Sequence, residues 1–304
     1  MSPASKVPPK KVLAKAAAKA APDKRIELLF EVGCEEIPAG MLARAETELK
    51  AGFEKQLAAE NLMEGVAVES FSTPRRLTLW ARGLPVRQAD VTSEVTGPPK
   101  SVAYDAVGAP TRAAVSFAEK QGIALHEVYF QQTPKGEYLA AKQVKRGRAT
   151  EHILADILPR ILHDLYWPKT MTWTGLSGAR FIRPIRWIVG LLDGKPLKFS
   201  YAGIAAADVT RGHRFAGSAS IRVRSFADYE KQLRSNGVVV RTAERLEKIE
   251  RELAAHAKKG SYRIHEDADL LKLVTYLNEL PSVIHGDFDP AFLNLPDEIL
   301  VTVM

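Results

Sequence analysis

Arginine carries the most conspicuous chemistry in this chain. The stretch "GARFIRPIRWIVGLLDG" sets Arg180, Arg183 and Arg186 at intervals of three in a segment otherwise suited to a core. Phe181, Ile182, Ile185, Trp187, Ile188 and Val189 surround them. An unpaired buried guanidinium is costly, so each arginine needs a partner. A guanidinium can fork onto a carboxylate or a phosphate, or lie on an aromatic face. Two readings follow. In one, the arginines pair with carboxylates such as Glu35, Glu36 or Asp208 and fix how sheets or subunits meet. In the other, beside Trp173, Phe181 and Trp187, they grip phosphates and stack on bases. In a strand, Arg180 and Arg186 share a face, while Arg183, just before Pro184, points the other way.

A second cluster lies in "TRGHRF". Arg211, His213 and Arg214 offer donors from a loop, and Gly212 lets a ligand approach the backbone. With Arg183, these three are the candidate RNA-binding residues. The candidate structural or interface residues are Glu35, Glu36, Arg75, Arg76, Arg180 and Arg186. Strand alternation splits Arg75 and Arg76, one outward and one paired. Glu35 and Glu36 can be an acid/base pair, or can favour a helix N-terminus. Cys34 has no base near it in sequence and reads as a small buried residue at a strand end. The chain has no Gly-rich phosphate loop, no nucleophile elbow and no paired metal-ligand spacing. Its 7 histidines are scattered. Neither a self-contained catalytic site nor a metal site is expected, which suits a binding or partner subunit.

The totals bound the class. With 304 residues, 46% of them hydrophobic and 26% charged, the chain can bury a sizeable core. Its 1 cysteine excludes an internal disulfide and fits a reducing cytosol. The net charge of +7 sits almost wholly in the first 25 residues, where lysines and Arg25 face Asp23 alone. The rest is nearly neutral, so any RNA contact must come from local patches. The tail is Ala, Lys and Pro with almost no large apolar residue, and is expected to be disordered. It lacks the apolar centre of a secretory signal, and no run is long enough to span a membrane.

Periodicity places the elements that must position these residues. "IELLFEVG" reads as a buried strand. Leu42, Ala45, Leu49, Phe53 and Leu57 recur at helical spacing between Pro38 and Leu62, with Asn61 and Gly65 as the stop. "VAVESFS" and "RRLTLWAR" read as strands, and "PVRQADVTSEVTGPP" as extended. A helix runs from about Pro110 to Gly122, followed by a hairpin turning at Pro134-Lys135-Gly136. Thr150 is placed to cap a helix through Trp167 that Pro159 should kink or split. Asp193-Gly194 turns the arginine segment into a hairpin with "KPLKFSYAGI". "TRGHRFAG" is a loop between strands. Beyond Ser225 come two charge-laced amphipathic helices, a third over His265 to Glu279, a short strand "PSVIHGDF" and a capped helix in "LPDEILVTVM".

This order argues an α+β fold: mixed or antiparallel sheets with packed helices, followed by a more helical segment. The expected organisation is a basic tail over 1–25, α+β structure over 26–224, and a mainly helical segment over 225–304. That last segment is read as truncated, because a helix rarely ends a protein on apolar and β-branched residues.

Taken together, several stretches resemble the β-subunit family of the bacterial heterotetrameric glycyl-tRNA synthetases. They are "EVGCEEIP", "TPRRL", "GPP", "GAPTRAAVSFAEKQGI", "KGEYLAAKQVKRGR", "PKTMTW", "RFIRPIRWIVGLL", "RGHRF" and "LPSVIHGDFDPAFLNLPDEILVTVM". Their order over Ile26 to Met304 makes the match specific. Cys34 stands where the family often has threonine, and the basic tail lies outside the pattern. The resemblance implies a cytoplasmic α₂β₂ enzyme that joins glycine to tRNA(Gly) with ATP. It places the catalytic site, with ATP and Mg²⁺, on the α subunit, and gives the β subunit tRNA recognition and a considerably longer chain. It also implies a likeness to domains of the phenylalanyl synthetase β chain, which is fold analogy and assigns no site. Two other readings stand beside it: a non-enzymatic RNA-binding or assembly module sharing this domain, and a tRNA-editing domain, for which the sequence shows no nucleophile or water-activating group.

Overall fold

A computed structural model describes residues 24–173 and 179–303. The chain opens with β1 (Arg25–Cys34), α1 (Ala39–Ala59), β2 (Ala67–Thr73), β3 (Arg76–Pro85) and β4 (Val91–Pro99). Next come α2 (Lys100–Ala103), α3 (Arg112–Gln121), β5 (Tyr129–Thr133), β6 (Gly136–Lys145) and α4 (Thr150–Asp164). Six strands follow: β7 (Ile185–Leu192), β8 (Lys195–Pro196), β9 (Ser200–Tyr201), β10 (Ile204–Ala207), β11 (Val209–Thr210) and β12 (Ile221–Arg222). The helices α5 (Phe226–Ser235), α6 (Thr242–Gly260), α7 (Ala268–Leu277) and α8 (Asp297–Val303) complete the order. The fold is α+β, as the element order predicts.

These elements form two compact units. The first holds Glu60–Leu62 and Pro85–Ile153. Its sheet has the order β4-β6-β5, and Ala103, Ala114, Phe117, Leu139 and Ala141 make its core. Thr111 accepts from the Ala113 N–H to start α3, and Gly122, at φ 67°, ends it in the left-handed conformation a glycine stop requires.

The second unit holds Ile26–Ala59, Met63–Leu84 and 154–304. Its seven-stranded sheet runs β2-β3-β1-β7-β10-β9, with β8 on β7. β1 and β7 are antiparallel from Leu28↔Leu192 to Cys34↔Ile185, with an irregularity at Gly33/Cys34. β10 joins β7 in parallel, which makes the sheet mixed. Asp193 (φ 51°) and Gly194 (φ 77°) form the two-residue turn between β7 and β8 that their types predict. Leu29, Trp187, Val189 and Leu191 bury one sheet face against Phe226, Tyr229 and Leu233, spaced i, i+3, i+7 along α5. Ser225 caps that helix by accepting from the Asp228 N–H. In α1 the buried positions include the five apolar residues at helical spacing.

In the mainly helical stretch from residue 226 on, α5 completes the core over β1 and β7. Three expectations are corrected. α4 continues through Pro159 as one helix: Ile153, Leu154, Ile157, Leu158, Ile161 and Leu162 are buried on both sides of the proline, and that burial outweighs one lost backbone bond. It ends at Asp164, and the Thr150 hydroxyl donates to the Pro85 carbonyl instead of capping. "PSVIHGDF" forms no strand. The tail, up to residue 23, lies outside the described residues, as do residues 174–178.

Candidate functional site

Three turns of the second unit are stitched together by backbone hydrogen bonds. The Cys34 N–H donates to the Arg75 carbonyl at 2.8 Å, and the Ile37 N–H to the Pro74 carbonyl at 2.7 Å. The Glu35 N–H donates to the Pro184 carbonyl at 3.1 Å. The turn after β1, the turn between β2 and β3, and the approach to β7 therefore meet at one place. Glu35, Glu36, Arg75 and Arg183 are brought together by this stitching and not by sequence proximity.

The carboxylates organise the arginines. Glu35 accepts from Arg186 Nε at 2.7 Å and from Arg214 Nη2 at 2.8 Å. Arg214 also donates to the Glu36 carboxylate, so one guanidinium spans both glutamates. Arg183 Nε donates to the Glu36 carbonyl at 2.9 Å. Burial raises the Glu35 pKa, but the Arg186 hydrogen bond and the charges of Arg214, Arg186 and Arg75 outweigh it and hold the carboxyl below its ordinary range. A carboxyl held ionised is a poor general acid. The Cys34 thiol is fully buried, and burial pushes its pKa far up, so it is not a nucleophile.

Beneath this layer is a buried polar cluster. Glu31 sits in the middle of β1 with no exposed surface. Its carboxylate accepts from Thr210 Oγ1 at 2.6 Å, from Trp187 Nε1 and from the Tyr229 hydroxyl. Arg76, also fully buried, lies 3.6 Å from Glu31 and pairs with Glu279 at 3.1 Å. Burial alone would lower the Arg76 pKa; the charges of Glu279 and Glu31 reverse that and keep it a cation. Arg76 Nη1 donates to the Arg211 carbonyl at 3.0 Å, which ties the cluster to the 211–220 loop.

That loop is rigid by construction. The Gly212 N–H donates to the Ser218 carbonyl and the His213 N–H to the Asn236 carbonyl. His213 Nδ1 accepts from the N–H groups of Phe215 and Ala216. An added Cβ at Gly212 would meet Asn236 Cβ at 2.7 Å, and one at Gly217 would meet the His213 nitrogen at 2.4 Å. Only glycine allows this close approach. The closed loop leaves the Phe215 ring 89% exposed.

The sequence-predicted residues thus reach four fates. Glu35, Glu36, Arg183, Arg186 and Arg214 are joined at the surface, and Arg76 lies beneath them. Arg75 and Arg211 sit with their guanidiniums 5.5 and 5.2 Å from the Trp187 ring. Arg180 lies apart: β7 begins only at Ile185, so strand alternation does not relate Arg180 to Arg186. Asp208 pairs with Arg222 at 3.4 Å and with none of the three spaced arginines. Sequence reasoning missed Glu31, Tyr229, Glu279 and Arg245. Glu31 could have been found, as a lone charge inside an apolar strand needs a partner. Arg245 gives no such signal on its amphipathic helix; its guanidinium donates to the carbonyls of Ser72, Val239, Val240 and Thr275. Among the described residues, no group of three or more His, Cys, Asp or Glu is placed to hold a metal. No helix among them is long and apolar enough to cross a membrane.

Residues 28–304, which contain every side chain of this arrangement, match the family described as the glycyl-tRNA synthetase beta subunit. The chain belongs to that family. The glycine–tRNA ligase beta subunit of Citrifermentans bemidjiense is 41% identical over 278 residues, covering 91% of this chain and 40% of that protein. Those of Geobacter sulfurreducens and Clostridioides difficile are 40% and 39% identical, with the same coverage. The chain spans 40% of the length of these curated relatives. Within the glycyl-tRNA synthetase beta subunit family, the matched region begins inside β1, so the basic tail precedes it.

Proposed function

We propose that this chain works as part of a glycine–tRNA ligase beta subunit, in the ATP-dependent joining of glycine to tRNA(Gly). In this reading it contributes tRNA binding and assembly with an alpha subunit in a cytoplasmic α₂β₂ enzyme. The alpha subunit holds the catalytic site, with ATP and Mg²⁺. The observation that carries the reading is the family match over residues 28–304. The chemistry of the site agrees with it: Cys34 is sealed and Glu35 is held ionised, so neither serves acyl transfer or editing.

Among the candidate RNA contacts, Arg211 has the best case. Its guanidinium lies 5.2 Å from the Trp187 ring and makes no hydrogen bond or ion pair among the described residues, and His213 lies two positions on in the same loop. Arg183 keeps exposed donor capacity. Arg214 is spent largely on Glu35 and Glu36, which makes it a clamp. Glu35, Glu36, Arg76 and Arg186 are assigned to architecture, and the exposed Arg180 to subunit docking.

The test is glycylation of tRNA(Gly) by the alpha subunit alone, with the full-length beta chain, and with a beta chain lacking residues 28–304. Charging should require the intact beta chain. Equal charging by alpha alone, or by the deleted form, would overturn the reading.

A further inference from the structure

Arg75 is an anomaly among the buried arginines. It is only 8% exposed, yet its side chain makes no hydrogen bond among the described residues, and its Nε is sealed without a partner. The nearest carboxylate oxygen, on Glu36, is 3.9 Å from Nε and is already held by Arg214. By contrast Arg245 donates from all three guanidinium nitrogens, and Arg76 donates from Nε and Nη1 and pairs with Glu31 and Glu279, only its Nη2 lacking a hydrogen bond. The Arg75 backbone is locked from both sides, through its carbonyl to Cys34 and its N–H to Thr73 Oγ1. The chain therefore holds this cation in place with Nε sealed and unpaired, while Nη1 and Nη2 stay open to an outside acceptor and make no hydrogen bond among the described residues. Arg211, on the facing loop, likewise makes no side-chain hydrogen bond or ion pair among the described residues, and its guanidinium lies over the Trp187 ring. Two under-used guanidiniums at one indole make a site for an anion with several acceptor oxygens. Arg76 and Arg214 add positive charge around it, against Glu31, Glu35, Glu36 and Glu279. On the same loop, Phe215 presents an almost bare ring. An arginine pair beside an exposed aromatic is the platform that single-stranded nucleic acid uses, phosphate on cation and base on ring.

We propose that Arg75 and Arg211, gathered at the Trp187 indole, hold a phosphate of an unstacked single-stranded RNA segment whose neighbouring base stacks on Phe215. This rests on the RNA-contacting reading above and narrows it: duplex RNA, whose bases are already stacked, gains nothing from Phe215.

The test is fluorescence anisotropy with a labelled single-stranded oligoribonucleotide of about 12 nucleotides, and with a duplex of the same sequence. The protein is the 304-residue chain and its Arg75→Met, Arg211→Met and Phe215→Ala variants, with Arg82→Met as a remote control of equal charge. Phe215→Ala removes only exposed surface and so keeps the fold. Single-strand affinity should fall about tenfold for Phe215→Ala and for each arginine variant. The slope of log affinity on log salt should drop by about 0.7 per arginine removed. Arg82→Met should leave both unchanged, and duplex binding should be insensitive to Phe215→Ala.

Absence of single-strand binding by the wild type, or equal binding by all variants, overturns the proposal. So does a set of variants that keep RNA binding but lose affinity for the purified alpha subunit, because a carboxylate of that partner would then be the occupant. Charging assays separate the two readings: intact beta-dependent glycylation without single-strand binding removes this site and leaves the function standing.

Discussion

Thr73 donates its hydroxyl to Glu279 at 2.6 Å although the two residues lie 206 positions apart. Arg76 Nε reaches the same carboxylate oxygen at 3.1 Å. The Glu279 backbone joins in, its carbonyl accepting from the Val239 N–H at 2.8 Å. The end of α7 is thereby fastened to the β2–β3 turn that carries Arg75. The late helical segment is part of the device that holds the arginine surface in shape.

Glu31→Ala should be severely destabilising. It strips the acceptor from Trp187, Thr210 and Tyr229 and leaves Arg76 with one carboxylate. Breaking a buried pair from one side costs about 3–5 kcal/mol, read as a shift of the urea midpoint. A loss under about 1 kcal/mol, the size of a surface pair, would show that the cluster adds no stability.

Gly33→Ala tests how the indole is seated. A Cβ at Gly33 would lie 1.8 Å from Trp187 Cε2. The ring must move, at a cost of about 1–3 kcal/mol. Tryptophan emission should shift with it, and single-strand RNA affinity should fall. An unchanged spectrum at wild-type stability would refute the packing described.

Acid stability should depend on Glu35. Its folded-state pKa lies below its ordinary 4.5. Its contribution is therefore complete above that value and is lost as pH falls through the folded-state pKa. Glu35→Gln should be less stable near neutrality and lose less on acidification. Parallel stability–pH curves for variant and wild type, from about pH 6 to about pH 3, would contradict the ion pairs with Arg186 and Arg214.

Cys34 should be inert in the folded chain. A chromogenic disulfide reagent should label it only at the rate of unfolding, accelerating with urea, because the thiol is buried and its pKa is raised by that burial. Rapid labelling in native buffer would contradict the sealed strand end.

Much of the fold was legible because its elements are locally consistent. The apolar run of β1, the helical spacing in α1, the Asp193-Gly194 turn and the Gly122 stop are each decided within a few residues. The misreadings came where local rules met tertiary packing. Pro159 argues a break, but apolar residues on both sides of it are buried. "PSVIHGDF" has strand-like content but joins no strand; its Pro281 carbonyl and Val283 N–H are taken by the Lys248 and Glu252 side chains of α6.

The sequence by itself determined the element types, the family, and the two arginine-rich motifs. It could not say which guanidinium meets which carboxylate. Arg186 finds Glu35 across 151 positions, Arg214 finds Glu36 across 178, and Trp187 finds Glu31 across 156. Such pairings depend on sheet register and on which turns are stitched together, and no local period encodes either. The tertiary structure alone decided that Arg76 is buried between two carboxylates while its neighbour Arg75 is buried without a side-chain hydrogen bond among the described residues. Strand alternation does not split them as expected, one outward and one paired: Arg76 opens β3 beside Glu31 and Glu279, whereas Arg75 sits in the β2–β3 turn, also buried, 3.9 Å from a Glu36 oxygen that Arg214 already holds.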